Sequence, residues 1–593
     1  MQVRARRRGL EHKFKAPASN FGETPTDDTM TFMKKRLFFA ALLAAGVAIY
    51  AQTRQDGGFS VVEASIPEMR AALEQHRVTS RELVAQYLAR IGMYEDVLHS
   101  AITVNPNALK EAAELDRERA AGHLRGPLHG IPVALKDNIQ TTEMPTTGGA
   151  LAFAGYTPPY EATLTRNLQA AGAIIIAKTT MTELANWVAG APMPMPGNYN
   201  AIRLWGMNPY DPRRDPRDAF NDGRGAMSPA GSSSGIGTAA NLWAANVGTE
   251  TSGSILGPSN QNMLVGIKPT VGRVSRYGVI PITADQDTAG PMAKHVAGAA
   301  ILLGAMESAS PDPNDPATSR CTAPPNRDYT PYLKADALRG ARIGIPREFY
   351  YDRLPGSPGG RGGGGLNPAQ ARVMAGAISV LKEQGAVLVD PANIPTVEEL
   401  AHWNFCSGAF EGKGRDANCS VVLKYGMKRD FNKWLATLGP SAPVKSLTEL
   451  REWNIRHTAA GAIRYGQSEL DISDEMNVQS DRARYEADRA KDIDMAGTRG
   501  IDAVIKADHL DALLFPGSSS ASIAAKPGYP TVIVPFGMVP NAPNPPFPAG
   551  FDAKPQPYGV GFTGMACSEP RLIGLAYSFE QATRRRAPPP SAP

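Results

Sequence analysis

Two short, unbroken apolar runs constrain the fold of this 593-residue chain more than any other feature. Gly130-Ile-Pro-Val-Ala-Leu-Lys136 ends on a charge, and Ala173-Ile-Ile-Ile-Ala177 follows after a helix-patterned segment, Leu164–Ala171. Runs of this kind are what strands buried on both faces look like, and such strands need helices covering both faces of their sheet. Helical spacing at Ile66–Gln75, Thr79–Tyr94 (with Thr79 or Ser80 as N-cap) and Leu109–Ala121 supplies helices ahead of the first run. The later half repeats the theme, with strands at Ala341–Ile345, Ala386–Val389, Leu510–Phe515 and Thr531–Pro535. Helices are predicted over much of Pro368–Gln384, Val397–Tyr425 and Ser473–Ala507. This is the α/β pattern. With no internal repeat, it reads as one domain over 60–586 carrying a helical insert at about 390–500.

Charge is uneven along the chain. Residues 1–51 hold nine Lys/Arg against four acids and so account for +5, the same as the net charge of the whole protein. Residues Arg584–Arg586 add three more positive charges, so the remaining body is mildly acidic. No basic face of the kind nucleic acid requires is present, and no nucleic-acid partner is expected. Met33-Lys-Lys-Arg followed by the apolar stretch to Ala51 reads as a signal peptide, short for a membrane span. An uncleaved signal anchor is the alternative and the only membrane contact the sequence offers. Residues 1–32 read as an extension upstream of the true start, and the expected location is periplasmic or secreted. The four cysteines are Cys321, Cys406, Cys419 and Cys567, of which Cys406 and Cys419 are near enough in sequence to permit a bridge. The nine histidines form no HxxxH or HExxH pair, so no metal site is expected.

Residues Gly190–Met227 have no sustained period and read as a long loop, which in a compact domain is usually functional. The glycine run within Leu354–Gly365 lacks the Gly-Lys-Ser/Thr ending of a phosphate loop and reads as a connector.

Three features could carry chemistry. Lys136 closes a buried strand, Gly231-Ser-Ser-Ser-Gly235 is a glycine-flanked serine cluster, and Gly248-Thr-Glu-Thr-Ser-Gly-Ser254 ends in a Ser-Gly-Ser turn. Taken singly they are a snorkelling lysine, a linker-like stretch and an ordinary turn. Together they supply what a serine hydrolase without a histidine base needs. A desolvated lysine can be neutral near pH 7, a second hydroxyl can extend its reach, and a glycine-containing turn can aim backbone N–H groups at an oxyanion.

With these and further blocks the chain resembles the amidase signature family of serine hydrolases, closest in motif to its peptide amidase-like members. The blocks are Pro127–Ile139, Ala171–Asn186, Gly231–Gly235, Gly248–Ile255, Val265–Gly278 and Asp287–Met292, in the family's order. The resemblance implies a large mixed sheet of about eleven strands sandwiched by helices and hydrolysis of an amide C–N bond, with no cofactor. It implies Lys136 as base, Ser232 as bridging cis-serine, Ser254 as nucleophile, and the backbone of Thr251, Ser252 and Gly253 with Ser254 as oxyanion hole. The partner implied is a small-molecule or peptide amide.

Two departures from the family stand out. Ser232 and Ser254 are closer in sequence than is usual, which leaves the bridging role open to Ser233 or Ser234. Leu256 occupies a position where many relatives carry arginine, so a cation for a substrate carboxylate is missing and substrates without one are favoured. Peptide amides, aryl or fatty amides and esters remain open, as does the oligomeric state. Three other readings compete: a nucleophile elbow centred on Ser233, an amidotransferase A-type subunit, and a non-catalytic binding protein that keeps the fold. The first lacks a preceding strand; the altered serine spacing keeps the last in view.

Overall fold

A computed structural model describes residues 58–229, 235–354 and 364–593. The signal-like segment and the extension before it lie outside the described residues, as do Ser232, Ser233, Ser234 and most of the glycine connector.

Thirteen strands are present among the described residues. They are β1 (Ala101–Val104), β2 (Pro132–Lys136), β3 (Ile174–Thr179), β4 (Tyr199–Asn200), β5 (Leu204–Trp205), β6 (Ala245–Glu250) and β7 (Val265–Lys268). The remainder are β8 (Thr288–Ala293), β9 (Arg342–Gly344), β10 (Val387–Val389), β11 (Ala512–Pro516), β12 (Thr531–Val539) and β13 (Gln556–Thr563). Eleven of them form one mixed sheet in the order β1-β3-β2-β6-β8-β7-β12-β13-β11-β9-β10, with helices against it, as the resemblance implies.

The two apolar runs are β2 and β3, and every residue of both is buried. They are parallel and joined through the helix Thr163–Ala170, a βαβ unit. On the other side of β2 lies β6, also parallel, with Leu135 opposite Val247. Beyond β6 the pairings through β8, β7, β12 and β13 are all antiparallel. The carboxyl ends of β2 and β6 therefore emerge together where parallel pairing stops, the kind of place where open α/β sheets bind ligands.

Helix starts follow local chemistry. Thr79 is the N-cap of Ser80–Leu98, its hydroxyl accepting from Glu82 N–H while the Glu82 side chain returns the bond. The helix predicted over Val397–Tyr425 is broken into Val397–Ala401 and Val422–Gly426. Between them Gly408 (φ 93°) and Gly414 (φ 85°) take left-handed backbone that no helix contains, and Cys406 bonds Cys419 across a Cα separation of 5.0 Å. The helix predicted over Ser473–Ala507 starts earlier, at Ser468, and is split into Ser468–Asp474, Arg482–Ile493 and Asp502–Ala507. A π-helical stretch, Asp494–Ile501, joins the last two. A second disulfide links Cys321 to Cys567, so all four cysteines are paired.

The stretch Gly190–Met227 holds only the β4–β5 ribbon and a single turn at Asp218–Phe220 as regular structure. It is ordered by a repeated device. In Asp211-Pro-Arg213, Asp215-Pro-Arg217 and Asp222-Gly-Arg224 the aspartate accepts both the backbone N–H and the guanidinium of the arginine two residues on. A second apolar core, with Phe153, Trp187, Trp205, Phe431 and Trp434, packs the helices after residue 421 against this region.

Candidate active site

Lys136 is the last residue of β2 and wholly buried. Because β2 and β6 run in parallel, its side chain meets the end of β6. Nζ donates to Thr249 Oγ1 at 2.7 Å and to Thr249 O at 3.1 Å. A neutral amine that donates two such bonds still carries the lone pair with which it can accept a proton. Burial pushes the ammonium down to about 7, against the opposing pull of the Asp287 and Glu250 carboxyls.

A lowered pKa does not by itself single out Lys136. Burial also lowers Lys268 to about 8 and Lys294 to about 7, yet these donate to Tyr529 O and Asn241 Oδ1 rather than to the Thr249 end of β6. Lys178 is matched by the Asp137 carboxylate at 3.3 Å. What distinguishes Lys136 is its place against Thr249, five residues before Ser254.

The turn from Glu250 to Leu256 is clamped from both sides. Glu250, the last residue of β6, accepts the N–H groups of Ile255 (2.7 Å) and Leu256 (2.9 Å) at the start of the helix Leu256–Gln261. Asp287, directly before β8, accepts the Thr251 hydroxyl and the N–H groups of Ile282 (2.9 Å) and Thr283 (3.0 Å). Burial pushes the Asp287 carboxyl up to about 7. Between the clamps Gly253 sits at φ 88°, left-handed backbone that only glycine adopts at low cost. A Cβ there would stand 3.5 Å from that of Ala521, so backbone conformation rather than space demands the glycine.

Thr251, Ser252 and Ser254 form one end of a cleft of about 330 Å³. Apolar side chains from Ala185–Met195 and from Ile282, Phe405 and Leu423 line the walls, with nearly as much polar surface among them. Ser407 and Glu469 complete it, and Glu469 is the only ionisable side chain among the described residues that line it. Leu256 is fully buried in its helix, and no lysine or arginine among the described residues replaces the absent cation in the cleft wall.

Of the site residues expected from sequence, Lys136, Thr251, Ser252, Gly253 and Ser254 thus gather at the ends of β2 and β6. Ser232 lies outside the described residues. The shortened spacing after it includes a helix of one turn, Ile236–Ala239, followed by Asn241 at φ 57°. Sequence reasoning gave no role to Thr249, Glu250 or Asp287, although all three stand inside the motif blocks. A carboxylate or hydroxyl in an otherwise small-residue run was the available signal. Glu469 lies in the diverged region and had none.

Residues 82–573 match the family model described as Amidase. A protein of Arabidopsis thaliana named "Probable amidase" is 32% identical over 560 residues, covering 93% of this chain and 96% of its own. The X-ray structure of native peptide amidase from Stenotrophomonas maltophilia is similar at TM-score 0.73 and 36% identity, covering 89% of this chain and 98% of that one. The A-type subunit of glutamyl-tRNA(Gln) amidotransferase from Thermosynechococcus vestitus is 31% identical over 534 residues, covering 87% of this chain and 98% of its own.

Proposed function

This chain belongs to the amidase family and is an amide-hydrolysing enzyme, and from that premise we propose that Ser254 is its nucleophile, Lys136 its base and Ser232 the hydroxyl between them. The observation that carries the reading is a buried lysine held near pKa 7 against Thr249, five residues before a serine that lines a cleft.

In this reading Ser254 Oγ attacks the amide carbonyl carbon as its proton passes to Ser232 and that of Ser232 to Lys136 Nζ. The carbonyl oxygen becomes an oxyanion facing the backbone N–H groups of Thr251, Ser252, Gly253 and Ser254. The C–N bond breaks, the leaving amine takes the proton back along the same path, and an ester on Ser254 remains. Water then enters by the same base catalysis and releases the carboxylic acid. Asp287 and Glu250 hold the turn so that the donors need not reorganise during the reaction. Thr249 orients the Lys136 amine.

The cleft wall favours an acyl group with no carboxylate near the reacting carbonyl, because among its described residues it presents no lysine or arginine and does present Glu469. This is consistent with the likeness to a peptide amidase. Neutral primary amides, including C-terminal peptide amides, are expected to be hydrolysed with a kcat/KM at least about tenfold above that for glutamine or asparagine, one missing charge-assisted hydrogen bond being worth that much. Ammonia release across such a panel measures it; a preference for the carboxylate-bearing amides would overturn the substrate class.

We also propose that Met33–Ala51 directs export, leaving a mature chain that starts near Gln52. The pairing of all four cysteines supports this, since structural disulfides persist in oxidising compartments. Cell fractionation with intact-mass measurement is expected to find the shortened chain outside the cytosol. Recovery of the unprocessed chain from the cytosol alone would refute it.

A further inference from the structure

Glu469 is the one charged-type residue among the described residues of the cleft wall, and the proposed chemistry does not use it. It is 5% exposed. Its backbone N–H donates to Val188 O at 3.0 Å, and the neighbouring Ser468 hydroxyl accepts Gly190 N–H at 3.0 Å, so the residue is stitched to the adjoining strip of the cleft wall. Ser407 Oγ donates to Glu469 Oε1 at 2.6 Å. Oε2 is buried and has no hydrogen-bond partner among the described residues. A Cβ at Gly190 would lie 2.9 Å from both Oε1 and Ser407 Oγ, so the wall is glycine where the carboxyl needs room.

A carboxyl kept in apolar surroundings with a half-satisfied hydrogen-bonding capacity is costly unless something completes it. Burial pushes it up to about 7, with the Ser407 hydroxyl pulling it the other way, so no neighbouring cation among the described residues supplies the balance. Glu469 lines the same cleft as Ser254. For a primary amide the leaving group is ammonia, which needs almost no space, and the cleft is therefore occupied by the acyl portion of the substrate.

We propose that Glu469, held by Ser407, is a recognition carboxyl that selects amides whose acyl portion is apolar but carries an amine, bound as the ammonium. The proposal rests on the cleft beside Ser254 being the substrate site. It explains why a cleft wall with no lysine or arginine among its described residues retains one acid. The ammonium completes the Glu469 carboxylate as a charge-assisted pair, while a substrate carboxylate in the same place is repelled.

The test compares ω-aminoalkanamides of increasing chain length with the matching n-alkanamides, in the wild-type enzyme and in Glu469→Gln and Glu469→Asp. In the wild type, at the chain length that spans the cleft, the amine-bearing amide is expected to exceed its alkane counterpart in kcat/KM by about tenfold or more. The ratio is expected to fall to about one in Glu469→Gln and to recover in part in Glu469→Asp, which keeps the charge. Reading a ratio within each variant cancels any general loss of active enzyme. Calorimetric binding of the same aminoalkanamides to Ser254→Ala gives a readout that needs no turnover. Alkanamide hydrolysis without an amine preference at any length, or a preference that survives Glu469→Gln, would overturn the recognition role and leave the hydrolytic reading intact. Amine-dependent binding with no hydrolysis of any amide would do the reverse.

Discussion

Ser254→Ala is expected to lower amide hydrolysis by roughly four to six orders of magnitude, because loss of a nucleophile removes the covalent path and leaves only the oxyanion donors and binding. The substitution is small and lies at a half-buried turn whose clamps, Glu250 and Asp287, are untouched, so the folded state should persist. A fluorophosphonate probe should add one adduct to the wild type, mapped to Ser254 by peptide mass, and none at that position in the variant. An adduct on Ser232 or Ser233 with an unmodified Ser254 would move the nucleophile and with it the whole assignment.

Lys136→Met keeps the aliphatic stem and removes the amine. It is expected to reduce kcat/KM by about two to four orders of magnitude, the range of a lost general base. In the wild type the base works only when deprotonated. Activity should therefore climb as pH rises through about 7, the value to which burial lowers Lys136, and then level off. A profile flat across that range, or an unaffected variant at neutral pH, would remove the lysine from the mechanism.

The same substitution is expected to act on stability in the opposite sense to its effect on activity. Lowering a lysine from 10.5 to about 7 means that the folded protein disfavours the ammonium by on the order of 5 kcal/mol. The folded state binds fewer protons than the unfolded chain between those two values, so the penalty is complete below pH 7 and gone above 10.5. Lys136→Met is thus expected to unfold at least as reluctantly as the wild type near neutrality, and its advantage should shrink as pH rises through that window. Denaturant midpoints at several pH values measure the difference.

The parts of the fold that were legible in the sequence are those where burial on both faces leaves an unbroken apolar run. β2, β3, β11 and the first half of β12 announce themselves in this way. β6 (Ala-Asn-Val-Gly-Thr-Glu) and β8 (Thr-Ala-Gly-Pro-Met-Ala) are equally buried but are built mostly from glycine, alanine, proline and polar residues. They have neither alternation nor strong strand propensity, and close packing in the sheet rather than local preference makes them strands. The broken helices between Val397 and Ala507 were misread for a related reason: apolar spacing persists through glycines and a disulfide loop that interrupt the backbone.

The site divides along the same line. Lys136, Ser254 and the turn that leads to Ser254 could be singled out in the sequence because each stands in a fixed local pattern. Glu250, Asp287 and Thr249 were visible as letters without roles, since only the pairing of β2, β6 and β8 brings them under the turn. Glu469 could not be found at all. It reaches the cleft through the way the helices after residue 421 settle onto Trp187 and its neighbours, a contact between segments far apart in the chain.

The two clamps on the turn before Ser254 come from β6, which ends on Glu250, and from Asp287 directly before β8, whereas Phe405, Ser407, Leu423 and Glu469 of the cleft wall come from the helical segment after residue 390. Reactivity and taste are therefore inherited from different stretches of chain. Substitutions at Phe405, Leu423 or Glu469 therefore reshape the cleft while leaving both clamps on the Ser254 turn in place, so such an enzyme can change what it accepts without rebuilding what it does.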